Sequence, residues 1–269
     1  RSSLRNVAET LLGYELSVNA LFVSTAGRYE FRNKGIDTLL ESLKLLTDYT
    51  DIAKEIVVFI MVPAHIKGYR LDLLSSLKHP ENKLLTSNTF TTHDLYDFYN
   101  DNIMSRIHWF HFTNNESEAL KIIFVPSYLN GEDGIFNKSY YDLLIGMDLT
   151  VFPSYYEPWG YTPLESIAFS VPTITTDLSG FGQWVSHQPH GINQGVGVIQ
   201  RSDYNAYEVA KHIAEMIYNF ASFSEKEIKN IRKKASLIAQ KALWKHFILY
   251  YNEAYSFALT NKNKRNKVK

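Results

Sequence analysis

Short apolar runs alternate along the chain with stretches whose apolar residues recur every three or four positions. Runs this short and this apolar indicate strands buried on both faces, and the intervening spacing indicates amphipathic helices. The predicted strands are 20–26, 56–62, 122–125, 149–152, 173–176 and 195–199, and the predicted helices between and around them include 3–16, 33–46, 140–147, 162–170 and 205–220. Strands that alternate with helices favour an α/β fold, in which helices flank a parallel, doubly wound sheet.

The pattern changes in two places. The segment 67–102 is polar and irregular, and we expect only short helices there. From Ser224 a long helical pattern continues, with breaks, to about Thr260. The tail 261–269 has five basic residues and no acidic residue, which predicts a solvated, frayed end. We therefore expect one α/β domain over residues 1–269, ending in a helical segment at about 224–260.

Composition and charge exclude several classes of function. The 28 basic residues balance the 28 acidic residues, so there is no overall electrostatic attraction for nucleic acid. Absence of cysteine excludes disulfides and thiolate metal sites and is consistent with a reducing compartment. There is no apolar run of membrane length, and the N-terminus has no signal-peptide core. We therefore expect a cytoplasmic protein with no nucleic-acid or membrane partner.

Two carboxylates lie around the loop that follows the predicted strand 149–152. Glu157 is in the loop, at the carboxyl end of the strand. Thr162 and Pro163 predict a helix start, with Thr162 as N-cap, which places Glu165 in the first turn. Ligands of open α/β sheets bind in this crevice, and a helix N-terminus suits phosphate. A capping box between Thr162 and Glu165 would explain the same residues without a ligand.

Two cations follow the first predicted strand. Arg28 and Lys34 come just before or at the start of a helix for which Asn33 is the predicted N-cap. Fixed cations beside a helix N-terminus can bind a diphosphate. The alternative is that Arg28 pairs with Glu30 or Asp37 and that Lys34 is a solvated residue.

Glycine and histidine patterns give little support for a cofactor or a metal. Two Gly-x-Gly sequences, beginning at Gly180 and Gly195, lack the third glycine of a dinucleotide fingerprint and are not expected between a strand and a helix. An enzyme that uses a nicotinamide dinucleotide is therefore disfavoured. Two histidine pairs, beginning at His108 and His187, come without a carboxylate at a known metal spacing. We expect no cofactor and no metal.

Four blocks of sequence carry a family resemblance. The segment 155–165, Tyr-Tyr-Glu-Pro-Trp-Gly-Tyr-Thr-Pro-Leu-Glu, resembles the signature of glycogen synthases of the animal and fungal type, glycosyltransferase family 3. The other blocks, in the order that the family uses, are 27–37, 121–126 and 178–182. The resemblance runs from about Leu21 to about Trp244. A Glu-x7-Glu spacing alone would be less specific, because many retaining glycosyltransferases have it.

The resemblance implies catalytic roles for three residues. Arg28 and Lys34 would bind the diphosphate of a nucleotide sugar and stabilise the leaving group. Glu157 would contact the transferred glucose and stabilise positive charge at the anomeric carbon.

It also implies a set of substrate-binding residues. Glu165 would bind the ribose hydroxyls, and Tyr140 would stack on uracil, with ordinary packing in a Tyr140-Tyr141 pair as the alternative. Backbone N–H groups of the segment 159–162 would bind sugar and phosphate oxygens; its residues are Trp159, Gly160, Tyr161 and Thr162. For the ring of Trp159 the alternative is core packing.

Family members have two Rossmann-like domains, the GT-B fold, with the active site between them. In this chain the first matching block begins at Gly27, whereas in the family an entire domain precedes it. The chain thus resembles the C-terminal half of a GT-B fold, without the N-terminal domain. That domain would be a partner, and the fragment alone would be inactive.

The implied function is the donor-binding half of a retaining enzyme that transfers glucose from UDP-glucose to the 4-hydroxyl of an α-1,4-glucan. Its partners would be the donor, the glucan acceptor and the missing domain, and the sequence leaves a homo-oligomer open. One alternative is a stand-alone nucleotide-sugar-binding module without catalysis, and another is a retaining glycosyltransferase with a different donor. A glycosidase also uses two carboxylates, but Pro158 and Gly160 favour a tight loop over a cleft wall.

Overall fold

A computed structural model of the chain describes residues 1–81, 84 and 86–267. Each of the predicted apolar runs forms a strand, and two further strands lie in the segment 66–95. In chain order the strands are β1 Leu21–Ala26, β2 Ile56–Met61, β3 Ile66–Tyr69, β4 His93–Leu95, β5 Leu120–Val125, β6 Leu149–Phe152, β7 Thr173–Thr176 and β8 Val196–Ile199.

The predicted strands form one six-stranded sheet in the order β5-β2-β1-β6-β7-β8. All neighbouring pairs are parallel. The chain runs from β1 outwards to β5, returns to β6 beside β1 and then runs outwards to β8, so the strand order reverses between β1 and β6. This confirms a doubly wound, Rossmann-like arrangement.

Helices cover both faces of the sheet, which explains why its strands are apolar on both sides. On one face α2 and α8 pack on the sheet, and on the other α1 and α5 do so. In chain order the helices are α1 Ser2–Leu12, α2 Ile36–Leu46, α3 Leu71–Lys78, α4 Asn102–Trp109, α5 Tyr140–Leu144, α6 Tyr161–Ala168, α7 Gly180–Ser186, α8 Ala206–Ser222, α9 Glu225–Lys241 and α10 Trp244–Lys267.

The polar segment 67–102 is more regular than its sequence predicts. Strands β3 and β4 pair antiparallel and form a small separate sheet. Helix α3 lies between them, which agrees with the short helices expected there. His93 of β4 is buried; its Nε2 lies 2.9 Å from the carbonyl oxygen of Asp133 and its Nδ1 lies 2.8 Å from the hydroxyl of Thr92. Side-chain hydrogen bonds therefore anchor this ribbon, and an apolar run is not needed.

Two predicted N-caps are wrong, and in both cases a glycine takes the position. Helix α2 is capped by Gly35 at φ 68°, while the amide of Asn33 donates to Glu30. Helix α6 is capped by Gly160 at φ 97°, so it begins one residue before Thr162. Only glycine adopts these left-handed conformations without strain, and neither helix has a side-chain cap.

Two other expectations are corrected. Gly180 does lie between a strand and a helix, because it follows β7 and opens α7, whose N-cap Ser179 accepts from Gly182 N–H at 2.9 Å. The tail was expected to fray from residue 261, whereas α10 continues to Lys267. Residues 268–269 lie outside the described part of the chain.

Candidate functional site

Two loops meet at the carboxyl edge of the sheet, where the strand order reverses. The β1 loop (27–35) follows β1, and the β6 loop (153–160) follows β6. The N–H of Tyr155 donates to the carbonyl of Asn33 at 2.7 Å. A Cβ atom on Gly35 would lie 1.9 Å from the carbonyl oxygen of Pro153, so only glycine permits this approach. The loops are thus held together where α/β sheets of this order bind ligands.

An ion pair joins the two loops. The ammonium group of Lys34 bonds to Oε1 of Glu157, and the hydroxyl of Ser154 lies 3.5 Å from the same oxygen. The side chains of Lys34 and Glu157 are only 16% and 19% exposed. The alternative of a solvated Lys34 is therefore wrong. A shielded cation and carboxylate side by side can contact a ligand that carries both negative charge and hydroxyl groups.

Arg28 lies at the rim of the β1 loop. Its guanidinium forms an ion pair with Glu30 at 2.7 Å, which is one of the two pairings considered from the sequence. The side chain of Arg28 is 75% exposed, so water screens the pair strongly. The guanidinium can therefore leave Glu30 for another anion at little cost.

Glu165 makes no capping box. Its Oε1 accepts a hydrogen bond from the hydroxyl of Tyr141 at 3.1 Å, and α6 has no side-chain cap. The ring of Tyr141 stacks on Phe169, with centroids 5.3 Å apart. The hydrogen bond to Glu165, and then the charge of that carboxylate, raise the pKa of Tyr141. A side chain of α5 thus anchors Glu165 through Oε1, and among the described residues Oε2 of Glu165 accepts no side-chain hydrogen bond.

Tyr140 and Tyr141 point in different directions. Tyr141 is exposed, whereas the ring of Tyr140 packs against the core beneath α5. The Tyr140 hydroxyl is buried without a hydrogen-bond partner among the described residues, and burial raises the pKa of this group. Tyr140 therefore makes the packing contacts that were considered as its alternative role. Stacking of its ring on a base stays a prediction.

Helix α7 supports the β6 loop from behind. Glu157 N–H donates to the carbonyl of Leu178 at 3.2 Å, and Phe181 N–H donates to that of Trp159 at 2.7 Å. A Cβ atom on Gly180 would lie 2.6 Å from the carbonyl oxygen of Pro158, so the glycine allows close contact. The segment that appeared in the sequence only as a family block is thus a brace for Glu157.

The ring of Trp159 has the packing role considered as its alternative. It makes edge contacts with Phe181 at 6.3 Å and with Phe247 at 5.4 Å between centroids. Gly160 is buried, whereas Tyr161 is exposed at the start of α6. Helix α6 begins directly after the β6 loop that carries Glu157, and roles for residues 159–162 in binding stay predictions.

Sequence reasoning missed Arg201, which lies two residues after the end of β8. It is only 8% exposed, and its guanidinium donates to the carbonyl of Pro153 and, at 3.1 Å, to the hydroxyl of Thr38. A charged residue at the carboxyl end of an apolar strand was the available signal.

Within the ranges that the structure describes, no three histidine, aspartate or glutamate side chains come close enough to hold a metal ion. In the same ranges no helix combines the length and apolar character needed to cross a membrane.

Comparison with known proteins gives one family. The family model described as Glycogen synthase matches residues 9–89 and 81–267. Glycogen [starch] synthase of Neurospora crassa is 28% identical over 296 residues, covering 90% of this chain and 42% of the relative. Isoform 1 of Saccharomyces cerevisiae is 27% identical and covers 90% and 43% of the two chains. The liver enzyme of Mus musculus is 28% identical, with 89% and 41% covered. The chain thus spans less than half the length of these relatives.

Among solved structures, the N-terminal domain of Candida albicans trehalose-6-phosphate phosphatase is similar, with a TM-score of 0.55. It is 13% identical in sequence, and the match covers 89% of this chain and 41% of that one. At this identity the likeness concerns the fold alone.

Proposed function

The chain belongs to the glycogen synthase family, and we propose that it forms the donor-binding half of a retaining glycosyltransferase. The reaction is transfer of glucose from UDP-glucose to the 4-hydroxyl of a growing α-1,4-glucan. One observation carries the proposal: the Lys34–Glu157 ion pair joins the β1 loop to the β6 loop at the edge where the strand order reverses. A diphosphate and a sugar bound there would meet a cation and a carboxylate together.

The diphosphate is bound by positive charge. Lys34 and Arg28 contact its oxygens, and the N-terminus of α6 adds backbone N–H groups and the positive end of the helix dipole. When the bond to the anomeric carbon breaks, negative charge develops on the leaving UDP. The ammonium of Lys34 stabilises that charge in a site shielded from water.

Glu157 acts on the sugar. Leaving of UDP creates positive charge at the anomeric carbon, and the carboxylate stabilises it electrostatically. The acceptor hydroxyl attacks from the face that UDP leaves, and a donor phosphate oxygen takes its proton, so configuration is retained. Glu165 binds the ribose hydroxyls, and Tyr140 stacks on uracil.

The acceptor requires a second domain. The matched part of each relative is less than half of its length. We therefore assign the glucan site and the remaining catalytic groups to a facing N-terminal domain, which makes that domain a partner of this chain. The complete enzyme is cytoplasmic and needs no metal ion.

Incorporation of labelled glucose into glycogen tests this function. The chain is assayed alone and joined to an N-terminal domain of the same family, with Glu157→Gln as the inactive control. We expect no incorporation by the chain alone, because catalysis needs both partners positioned, and incorporation by the joined protein. Robust incorporation by the chain alone contradicts the proposed division. Tight nucleotide-sugar binding without transfer in the joined protein indicates a binding module.

A further inference from the structure

Arg201 is a buried cation without an acidic partner. Its side chain lies under the β6 loop, and among the described residues no carboxylate is within 4.0 Å of it. Burial lowers the pKa of its guanidinium, and the negative charge of Asp37 opposes this only in part. Buried charges in proteins are usually paired, because removing them from water is costly. A buried cation that touches no carboxylate of the described residues needs another explanation.

The contacts of Arg201 converge on the loops of the candidate site. One guanidinium nitrogen, Nη1, donates to the carbonyl of Pro153 in the β6 loop, and Nη2 donates to the hydroxyl of Thr38 in α2. The guanidinium also lies over the ring of Tyr155, 5.3 Å from its centroid. Its own backbone N–H donates to Asp177 Oδ1 at 2.8 Å, which fixes it to the end of β7. Arg201 therefore joins β7, α2 and the β6 loop.

The carbonyl of Pro153 connects Arg201 to the loops that carry the ion pair. The oxygen lies against Gly35, the residue that follows Lys34. Four residues later in the same loop is Glu157, the partner of Lys34. If the Pro153 carbonyl shifts, the β6 loop carries Glu157 away from Lys34.

We propose that Arg201 is a positioning residue that sets the separation between Lys34 and Glu157, and with it the preference of the site for a nucleotide sugar over the free nucleotide. The inference rests on the proposed function. A lysine would keep the charge but has one ammonium group in place of the planar fork, and cannot reproduce both hydrogen bonds in this geometry. A neutral residue would leave the Pro153 carbonyl without its donor.

Titration calorimetry with UDP and with UDP-glucose measures the preference as the ratio of the two dissociation constants. The proteins are wild type, Arg201→Lys, Thr38→Val and Glu157→Gln, together with two double variants. One double variant combines Arg201→Lys with Glu157→Gln, and the other combines Thr38→Val with Glu157→Gln. Arg232→Lys is the matched control, because Arg232 also donates to a carbonyl, that of Met147, but at the opposite edge of the sheet. A partly unfolded sample changes the binding stoichiometry and leaves this ratio unchanged.

We expect Arg201→Lys to lower the preference for UDP-glucose at least about threefold, which corresponds to about 0.7 kcal/mol. Thr38→Val should lower it less, because one hydrogen bond is lost, and Arg232→Lys should not change it. In the Glu157→Gln background, Arg201→Lys should have no further effect, because it acts through Glu157. If Arg201→Lys does not fold, Thr38→Val with and without Glu157→Gln gives the same test.

The positioning role of Arg201 is overturned if Arg201→Lys leaves the preference for UDP-glucose unchanged. It is also overturned if Arg201→Lys lowers the preference equally with Glu157 and with Glu157→Gln. Neither result contradicts the proposed function. Absence of binding of both nucleotides by the wild-type protein instead contradicts the proposed function, and the role of Arg201 with it.

Discussion

Lys34 and Glu157 form an ion pair in a position that is largely shielded from water. Removing one member of such a pair leaves the other uncompensated. Their sequence positions are 123 apart, and no local spacing could have predicted the contact. The sequence did place each residue at the carboxyl end of a strand, and the parallel sheet brings those ends together.

The Lys34→Ala variant should bind UDP more weakly by roughly 1.5–3 kcal/mol, because a charge-assisted phosphate contact is lost. Arg28→Ala is the comparison, and we expect a smaller loss because this side chain is exposed and its ion pair is screened by water. Calorimetry at one fixed ionic strength measures both, since phosphate contacts depend on salt. Equal affinity of Lys34→Ala and wild type would remove Lys34 from the site.

Glu157→Gln and Glu165→Gln should have opposite effects. In the proposed function Glu157 contacts the sugar, so its variant should lose glucose transfer in the joined enzyme while its UDP affinity stays close to that of wild type. Glu165 is proposed to bind the ribose, so its variant should bind UDP more weakly. Calorimetry with UDP and the transfer assay together separate the two. If Glu157→Gln weakens UDP binding and Glu165→Gln does not, the two roles are exchanged.

Tyr140→Phe should keep its affinity for UDP and lose no stability, because the change removes only a buried hydroxyl without a hydrogen-bond partner. Tyr140→Ala should lose about 1–3 kcal/mol of binding, the usual value of a stacked base. It should also lower the melting temperature, because the ring packs on the core. Calorimetry and thermal unfolding report the two effects. A binding loss in Tyr141→Ala with none in Tyr140→Ala would assign the stacking to Tyr141.

At the level of elements, the ribbon β3–β4 should be sensitive to acid through His93. Burial lowers the pKa of His93, and the nearby Asp133 opposes this only in part. The unfolded chain therefore takes up a proton near the ordinary value of about 6.5 before the folded protein does. Stability from neutral His93 is complete above that pH and falls as the pH drops below it. The free energy of unfolding of wild type should decline from pH 7 to pH 5 more steeply than that of His93→Gln. Parallel curves would show that His93 does not titrate on unfolding.

Strands were easier to predict than helix starts, for a physical reason. A strand buried on both faces is apolar along most or all of its length, as in β2, and this pattern is visible in the local sequence. The starts of α2 and α6 depend on Gly35 and Gly160, whose positions are set by neighbouring loops. Rules for N-caps that use only the local sequence therefore predicted Asn33 and Thr162 instead.

The ribbon β3–β4 was missed because individual side-chain hydrogen bonds, such as those of His93, anchor it in place of an apolar run.

At the level of the whole molecule, the alternation of strands and helices was enough to predict a doubly wound sheet. The position where the strand order reverses required the structure, because the order of strands depends on which helices cover which face. The family resemblance supplied roles for Arg28, Lys34 and Glu157, and those roles stay predictions; the structure adds the contact between Lys34 and Glu157. Arg201 was missed because its side chain donates to a backbone carbonyl and a hydroxyl, and its position after an apolar strand does not reveal those partners.

Calorimetric titration of the chain with UDP, UDP-glucose and ADP-glucose is the most direct test of a donor site here. We expect UDP and UDP-glucose to bind to one site, Lys34→Ala to weaken the binding of both, and ADP-glucose to bind more weakly than UDP-glucose. Absence of measurable binding by a folded protein, or binding that Lys34→Ala leaves unchanged, would contradict a donor site between the β1 loop and the β6 loop.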